Sequence, residues 1–525
     1  MVEFPKLLSF LKDYMSIYSL SGTSAEREVP PFLSSRLRNW PYFQAHPEHL
    51  GTYKIPKDLL KREIFWALVK GLGERTVILL HHYDVVSTDN FGALQDLAFC
   101  PEDLDRAMDK ENLTEEVRED LESGDYLFGR GGCDMKAGGT IQLACLEEFS
   151  KMEDFTGNVL LLAVPDEENL SAGMRSGPDL LLNLKKQFGL DYKLLVNSEP
   201  HGRKDPKRPT LYLGSCGTLL FFVYAKSVVV HMGENQNGVS GLGIMSRIVA
   251  KTDQNRAMTE EDRGEVTPPP VWVYLRDTKD RYDVSMPPGA FAAMNLITFK
   301  NDIRAWKDRM ERVIREAMEE QLGDNPNHFD YRIRSLEELS VGRDLQEKWG
   351  KEVEAGGRGN YLEATYHLVK DLLEEDDFHG PQVVYGLVPP MYPSVISDHE
   401  TKEWVKDLFR YAKEKWGLDM ESLPYFTGIS DLSYTRGQIS PEDREAVKKI
   451  MAYYGIPYEV PFEGMEALEI PAIMLGPWGK DLHLKTERVY IKDFLEVTPD
   501  LVSHLVLQVL DEKEGAENPE MPYNK

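Results

Sequence analysis

Four short apolar runs stand out along the chain, at residues 76–80, 159–164, 194–196 and 470–475. Runs of this length, without polar alternation, predict strands buried on both faces, as in a parallel sheet. Between them apolar residues recur at helical spacing, as in Ile141, Ala144, Cys145, Leu146 and Phe149 after a glycine pair. The chain opens on Leu7, Leu8, Leu11, Tyr14, Met15 and Tyr18, interrupted by Lys6, Lys12 and Asp13. That spacing predicts an amphipathic first helix of a soluble domain. Strand–helix alternation then predicts an α/β domain with a mainly parallel sheet.

The middle of the chain reads differently. Charged helical stretches (302–321 and 336–351) lie between strand-like pieces (219–223 and 271–274), punctuated by Pro268-Pro269-Pro270 and Pro389-Pro390. Because the last segment again looks α/β, the reading is one domain inserted into another: 1–216 and 398–525 form the first, 217–397 the second. Residues 101–125 read as a charged helical insertion and 511–525 as a polar, solvated tail.

Composition narrows the function. With 61 Lys and Arg against 88 Asp and Glu, the net charge is −27. Such a surface repels phosphate backbones and anionic lipid, which excludes nucleic-acid and peripheral-membrane roles. The four cysteines show no C-x-x-C spacing and are too few for a disulfide framework. No apolar run reaches the ~18 residues of a membrane helix, and no secretory pattern opens the sequence, so the cytoplasm is the expected compartment.

The candidate chemistry sits where each predicted strand ends. After 76–80 come His81, His82, Tyr83 and Asp84; after 159–164 come Asp166, Glu167 and Glu168. After 194–196 come Asn197, Ser198 and Glu199, and beyond 470–475 lies His483. Ligands of open α/β sheets bind outside the carboxyl ends of the strands, so these residues converge if the strands are neighbours. In an extended segment His82 and Asp84 share a side while His81 faces away. That suits a ligating imidazole whose second ring nitrogen is held by a carboxylate. Glu167 and Glu168 diverge, so one can bind metal while the other reaches a water. Asp134 stands just before a helical pattern, whose N-terminus favours an ionised carboxylate. Oxygen and imidazole donors without thiolate fit Zn²⁺, Mn²⁺ or Co²⁺. Gly129-x-Gly131 lacks the third glycine of a dinucleotide loop, and no phosphate-binding G-x-x-x-x-G-K-[ST] accompanies Asp166-Glu167-Glu168.

These motifs resemble the M20 metallopeptidases. The matching pieces are His82-Tyr83-Asp84-Val85-Val86, Gly129-Arg130-Gly131 with Asp134-Met135-Lys136, Asp166-Glu167-Glu168, Ser198-Glu199-Pro200, and His483 with Glu487. Weaker echoes are Ser19-Leu20-Ser21-Gly22 and Gly428-Ile429-Ser430-Asp431. The length and enlarged middle look most like the arginine-utilisation protein B group of predicted deacylases.

The resemblance implies an aminopeptidase-like catalytic domain with two divalent ions, zinc by preference, and an inserted α+β lid that also makes a homodimer. It implies that His82 and Glu199 complete one metal site, Glu168 and His483 the other, and Asp134 bridges them. Glu167 would be the general base and Asp84 would orient His82. His231, in Val230-His231-Met232-Gly233, would serve the oxyanion of a partner's site. The implied reaction is hydrolysis of an amide in a small N-acyl amino acid, a basic one by the arginine resemblance, through a metal-activated water. A di- or aminopeptidase is the alternative within the family, and a non-catalytic binding protein the alternative outside it. The gap from Asp84 to Gly129 is longer than the family's usual one.

Other residues read as structural or undecided. His46, His49, His328, His367 and His504 lack a motif, and Trp306, Met310 and Ile314 form a packing stripe. Arg276 and Asn295 suit either a substrate carboxylate or surface pairing. Asp431 and the loop Gly476-Pro477-Trp478-Gly479 are candidate pocket elements.

Overall fold

The computed structural model describes residues 4–203, 205–279, 281–339, 345, 347–350, 353 and 361–511. The polar tail beyond Asp511 and part of the 336–351 stretch lie outside the described residues.

Two sheets organise the chain. The first contains β1 (Leu50–Lys54), β2 (Glu63–Lys70), β3 (Arg75–His82), β4 (Asn158–Val164), β5 (Asp191–Asn197) and β6 (Thr210–Tyr212). The second is built from β7 (Gly217–Lys226), β8 (Val271–Asp277), β9 (Gly289–Thr298), β10 (Arg332–Ser335) and β11 (Gln382–Tyr392). The chain then returns to the first sheet with β12 (Glu421–Leu423) and β13 (Ala472–Met474). The spatial orders are β1-β2-β4-β3-β5-β13-β6-β12 and β8-β9-β7-β11-β10.

The four apolar runs are the four adjacent central strands β4, β3, β5 and β13, all parallel. Their unbroken hydrophobicity follows from burial on both faces. Ile78, Leu80, Leu160 and Leu162 point into one core, while Val77, Leu79, Val159 and Leu161 point into another. Each such aliphatic side chain contributes about 1.5–3 kcal/mol on burial. The second core is covered by helices Phe4–Met15, Gly138–Phe149, Asp398–Trp416 and Thr498–Asp511. The flanking β1 and β2 are antiparallel, so the sheet is mixed at its edges.

In the second sheet β8, β9, β7 and β11 pair antiparallel and β10 joins β11 in parallel. Helix Ile303–Gly323, capped by Asp302, buries Trp306, Met310 and Ile314 in one stripe. The late segment also leans on this sheet: Ala452 N–H donates to Leu387 O at 2.9 Å and Arg304 pairs with Asp443 at 3.2 Å. The predicted helix from 336 begins instead as a single 3-10 turn, Leu336–Glu338, set by a capping box of Ser335 and Glu338.

Candidate metal centre

Because β3, β4, β5 and β13 run parallel and side by side, the residues after each strand emerge at one edge. Leu80 lies opposite Leu162 on one side and Asn197 on the other, so His82, Glu167, Glu168 and Glu199 come together by register. His82 Nε2 lies 3.1 Å from Asp134 Oδ1, 3.4 Å from Glu199 Oε1 and 4.0 Å from Glu167 Oε2. His483 Nε2 lies 3.0 Å from Glu168 Oε1 and 3.1 Å from Asp134 Oδ2. Asp134 thus turns one oxygen to each histidine.

Three interlocking donor sets result among the described residues: His82, Asp134 and Glu199; Asp134, Glu168 and His483; and His82, Glu167 and Glu168. Donors about 2.0–2.2 Å from a tetrahedral zinc stand roughly 3.3 Å apart, and the separations here lie beside that value. Charge argues the same way. The ion pairs of Asp134, Glu167, Glu168 and Glu199 are all with His82 and His483, so four carboxylates face two imidazoles. Burial pushes the Glu167 and Glu199 carboxyls well above the usual range, and neighbouring carboxylates push further. Burial disfavours the His82 cation, yet Glu199, Asp134 and Asp84 hold its pKa well above the ordinary value. Asp134 and Glu168 raise His483 to about 10. Protons fill a deficit of positive charge that two divalent cations would fill instead. The residues fit such ions.

Around these donors a set of polar contacts fixes the loops. Asp84 Oδ1 accepts from Glu167 N–H and Oδ2 from Glu168 N–H, each at 3.1 Å, which aims the two glutamates. His82 Nδ1 is nearer the Asp84 carbonyl, at 3.1 Å, than its carboxylate, at 3.5 Å. His81 faces the other way, with Nδ1 3.0 Å from Gln142 and Nε2 3.2 Å from the Tyr14 hydroxyl. Gln142 Nε2 donates to Leu80 O and to Ser198 Oγ, joining the ends of β3 and β5. Glu487 Oε1 accepts from Cys133 and Asp134 N–H at 3.2 Å, and its Oε2 from Arg130 Nη1 at 2.5 Å. Arg130 Nη2 in turn reaches His483 O at 2.9 Å. Arg130 and Glu487 both stand inside the motifs, but no local pattern marks either one's task, because the two partners are 357 residues apart.

His231 is not part of this cluster. It is exposed, and its Nδ1 accepts from Gly233 N–H at 3.1 Å as the cap of a short 3-10 turn. Asp431 is buried, and burial pushes its carboxyl up to about 7. The N–H groups of Trp478 and Gly479 are taken by Asp493 and His201, so the 476–479 loop presents neither to a ligand. Arg276 pairs with Glu363 at 3.0 Å. His367 stacks on Trp349, and His504 bonds Asp407 at 2.9 Å. His46, Glu48 and His49 form a further group, but the two rings stack nearly parallel, 14° apart, so their in-plane lone pairs do not meet.

A family model described as peptidase family M20/M25/M40 matches residues 102–455. The chain belongs to this family. The M20 chain is 32% identical to the uncharacterized protein YqjN of Bacillus subtilis, over 97% of each chain. It is 28% identical to protein RocB of the same organism, over 94% of this chain and 93% of RocB. Its fold matches a solved dinuclear metal-binding peptidase of the M20 family, B. subtilis YXEP, with TM-score 0.52. That likeness carries 13% identity and covers 97% of this chain and 98% of the other. The protein is therefore an M20-type metallohydrolase of the amidohydrolase and peptidase class, on an α/β fold.

Proposed function

We propose that this M20 enzyme is a deacylase that hydrolyses the amide of a small N-acyl amino acid. The observation that carries the reading is Asp134, which turns one oxygen to His82 and the other to His483, while Glu167 stands 4.0 Å from His82. In this reading His82 and Glu199 would hold one ion and Glu168 and His483 the other, with Asp134 shared between the two sets. Zn²⁺ suits the donor set, with Co²⁺ or Mn²⁺ as alternatives. Bound there, two such ions supply Lewis acidity that polarises the scissile carbonyl and makes water acidic.

The chain's own residues then move the proton. Glu167 takes it from the attacking water on a carboxylate oxygen and gives it to the amide nitrogen as the C–N bond breaks, leaving a carboxylate and a free amine. Asp84 keeps Glu167 in place through the backbone N–H.

The finer substrate is an N-acylated basic amino acid. Similarity to RocB along most of the chain and the net charge of −27 support that choice. We read the second sheet with its helices, 217–397, as a lid inserted between 1–216 and 398–525. Its edge strand β8 carries Val271, Val273 and Leu275 outward, each 43–54% exposed. An exposed apolar edge of this kind calls for a partner, which supports a homodimer through the lid. There His231, too far from its own cluster to touch it, would serve the partner's oxyanion. Four free cysteines, and no helix among the described residues long and apolar enough to cross a membrane, accord with a cytoplasmic enzyme.

The test pairs elemental analysis with a hydrolysis screen. Two ions per chain, with amino acid released from N-acyl but not from free-amine substrates, is the expected result. Hydrolysis that requires a free α-amine would overturn the deacylase in favour of a peptidase. Absence of bound metal after reconstitution would overturn the metal reading itself.

A further inference from the structure

The charged insertion between Asp84 and Gly129 has no part in the chemistry above, yet it is bound to the loop that carries His483. That loop is a hairpin: Gly479–Lys480 pairs with Arg488–Tyr490, which pairs with the strand Tyr126–Phe128 that follows the insertion. At its tip Asp481 and His483 both adopt left-handed backbone conformations, φ 57° and 65°, which non-glycine residues hold only under outside constraint. The His483 ring is half exposed, and its nitrogen contacts are with Asp134 and Glu168. Its position therefore depends on where the backbone is held.

Helix Glu115–Ser123 of the insertion holds it. Glu116 and Asp120, one turn apart, present their carboxylates to the hairpin. Asp120 Oδ2 accepts from Lys480 Nζ at 2.8 Å and from Arg488 Nε at 2.7 Å. Arg488 is buried at 1% side-chain exposure and reaches Asp481 Oδ2 at 2.5 Å with its other arm. Glu116 pairs with Lys480 at 2.9 Å and stands 3.8 Å from Arg488 Nη2, without a hydrogen bond to it, and is itself 68% exposed. A buried guanidinium needs its carboxylates, whereas an exposed pair contributes little. Asp120 is thus the member of the insertion that matters, sharing a buried Arg488 with the very turn that carries His483.

We propose that Asp120 is a positioning residue for the second metal, holding the 479–488 hairpin, through Arg488 and Lys480, where His483 meets Glu168 and Asp134. This rests on the dinuclear reading above. Polar groups behind metal ligands typically tune affinity 10–100-fold. The experiment titrates chelator against the zinc-loaded full chain and counts the ions retained, for wild type, Asp120→Asn, Lys480→Gln and Glu116→Gln.

Asp120→Asn is expected to lose one of its two ions at roughly 10–100-fold lower chelator, with the other held as in wild type. Lys480→Gln, which loosens the same contact from the hairpin side, is expected to do likewise more weakly, and keeps the test alive if Asp120→Asn folds poorly. Glu116→Gln should match wild type. Ions leaving together, or at wild-type chelator in both variants, would overturn the proposal while leaving the dinuclear reading intact. A wild type that retains no zinc would overturn both.

Discussion

The two halves of the proposed metal centre are built from different material. His82 ends one parallel strand and Glu199 lies two residues beyond the end of its neighbour, and their side chains are 1% and 8% exposed. Glu168 and His483 ride on loops, and the His483 ring is 51% exposed. Strand register fixes the first half, so it cannot shift without breaking a sheet buried on both faces. Polar contacts between loops fix the second, and those are individually worth only about 0.5–1.5 kcal/mol net when neutral, somewhat more when charged. A centre made this way has one rigid half and one tunable half, joined by Asp134.

The largest expected effect comes from breaking the joint. Asp134→Asn removes the charge both halves share, so both ions and all measurable turnover should be lost, as read by elemental analysis and assay. One ion retained at full occupancy would show that the halves are independent. Glu167→Gln comes next. It takes away the proton carrier without touching the paired donors, so turnover should fall about 10²–10⁴-fold with both ions kept. Wild-type turnover would remove Glu167 from the role. His231→Ala should cost about 10²–10³-fold, the loss typical of one oxyanion donor, with metal content unchanged. Mixing it with inactive Glu167→Gln chains should restore part of the activity if the histidine works across a dimer. Failure of such mixed dimers to recover activity would remove His231 from the oxyanion role.

The rigid half was the more legible one. Unbroken apolar runs betray strands buried on both faces, and period-two alternation alone separates His82 from His81, which lies against Tyr14 and Gln142. The tunable half is marked more loosely, by the places of Glu168 and His483 beyond strand candidates and then by the motif resemblance, because a histidine on an irregular loop leaves no periodic trace. Asp84 shows a middle case: the spacing singles it out beside His82, but its carboxylate oxygens accept from both glutamate N–H groups at 3.1 Å and stand 3.5 Å from His82 Nδ1. What holds the loops stayed hidden for a simple reason. Asp120 and Lys480 are 360 positions apart, and locally the acidic helix looks like an ordinary solvated face. The same locality misled at 336, where helical spacing gave way to a capped 3-10 turn.

The smallest effect sharpens the contrast from the rigid side. Gln142 Nε2 bonds Leu80 O and Ser198 Oγ and thereby ties together the strand ends that carry His82 and Glu199. Gln142→Leu keeps a similar volume but takes the amide from buried Ser198 Oγ and His81 Nδ1, while Leu80 O keeps the Ser198 N–H at 3.3 Å. An unsatisfied buried group costs about 1–3 kcal/mol, and the sheet can neither admit water nor shift to relieve it. The penalty should therefore surface as lower stability in denaturant unfolding of the zinc-free chain. Turnover of the zinc-loaded enzyme should stay near wild type, because register rather than Gln142 sets the distance from His82 to Glu199. Selective loss of one ion with unchanged stability would reverse that expectation. It would mean that the strand-borne half is as tunable as the loop-borne one.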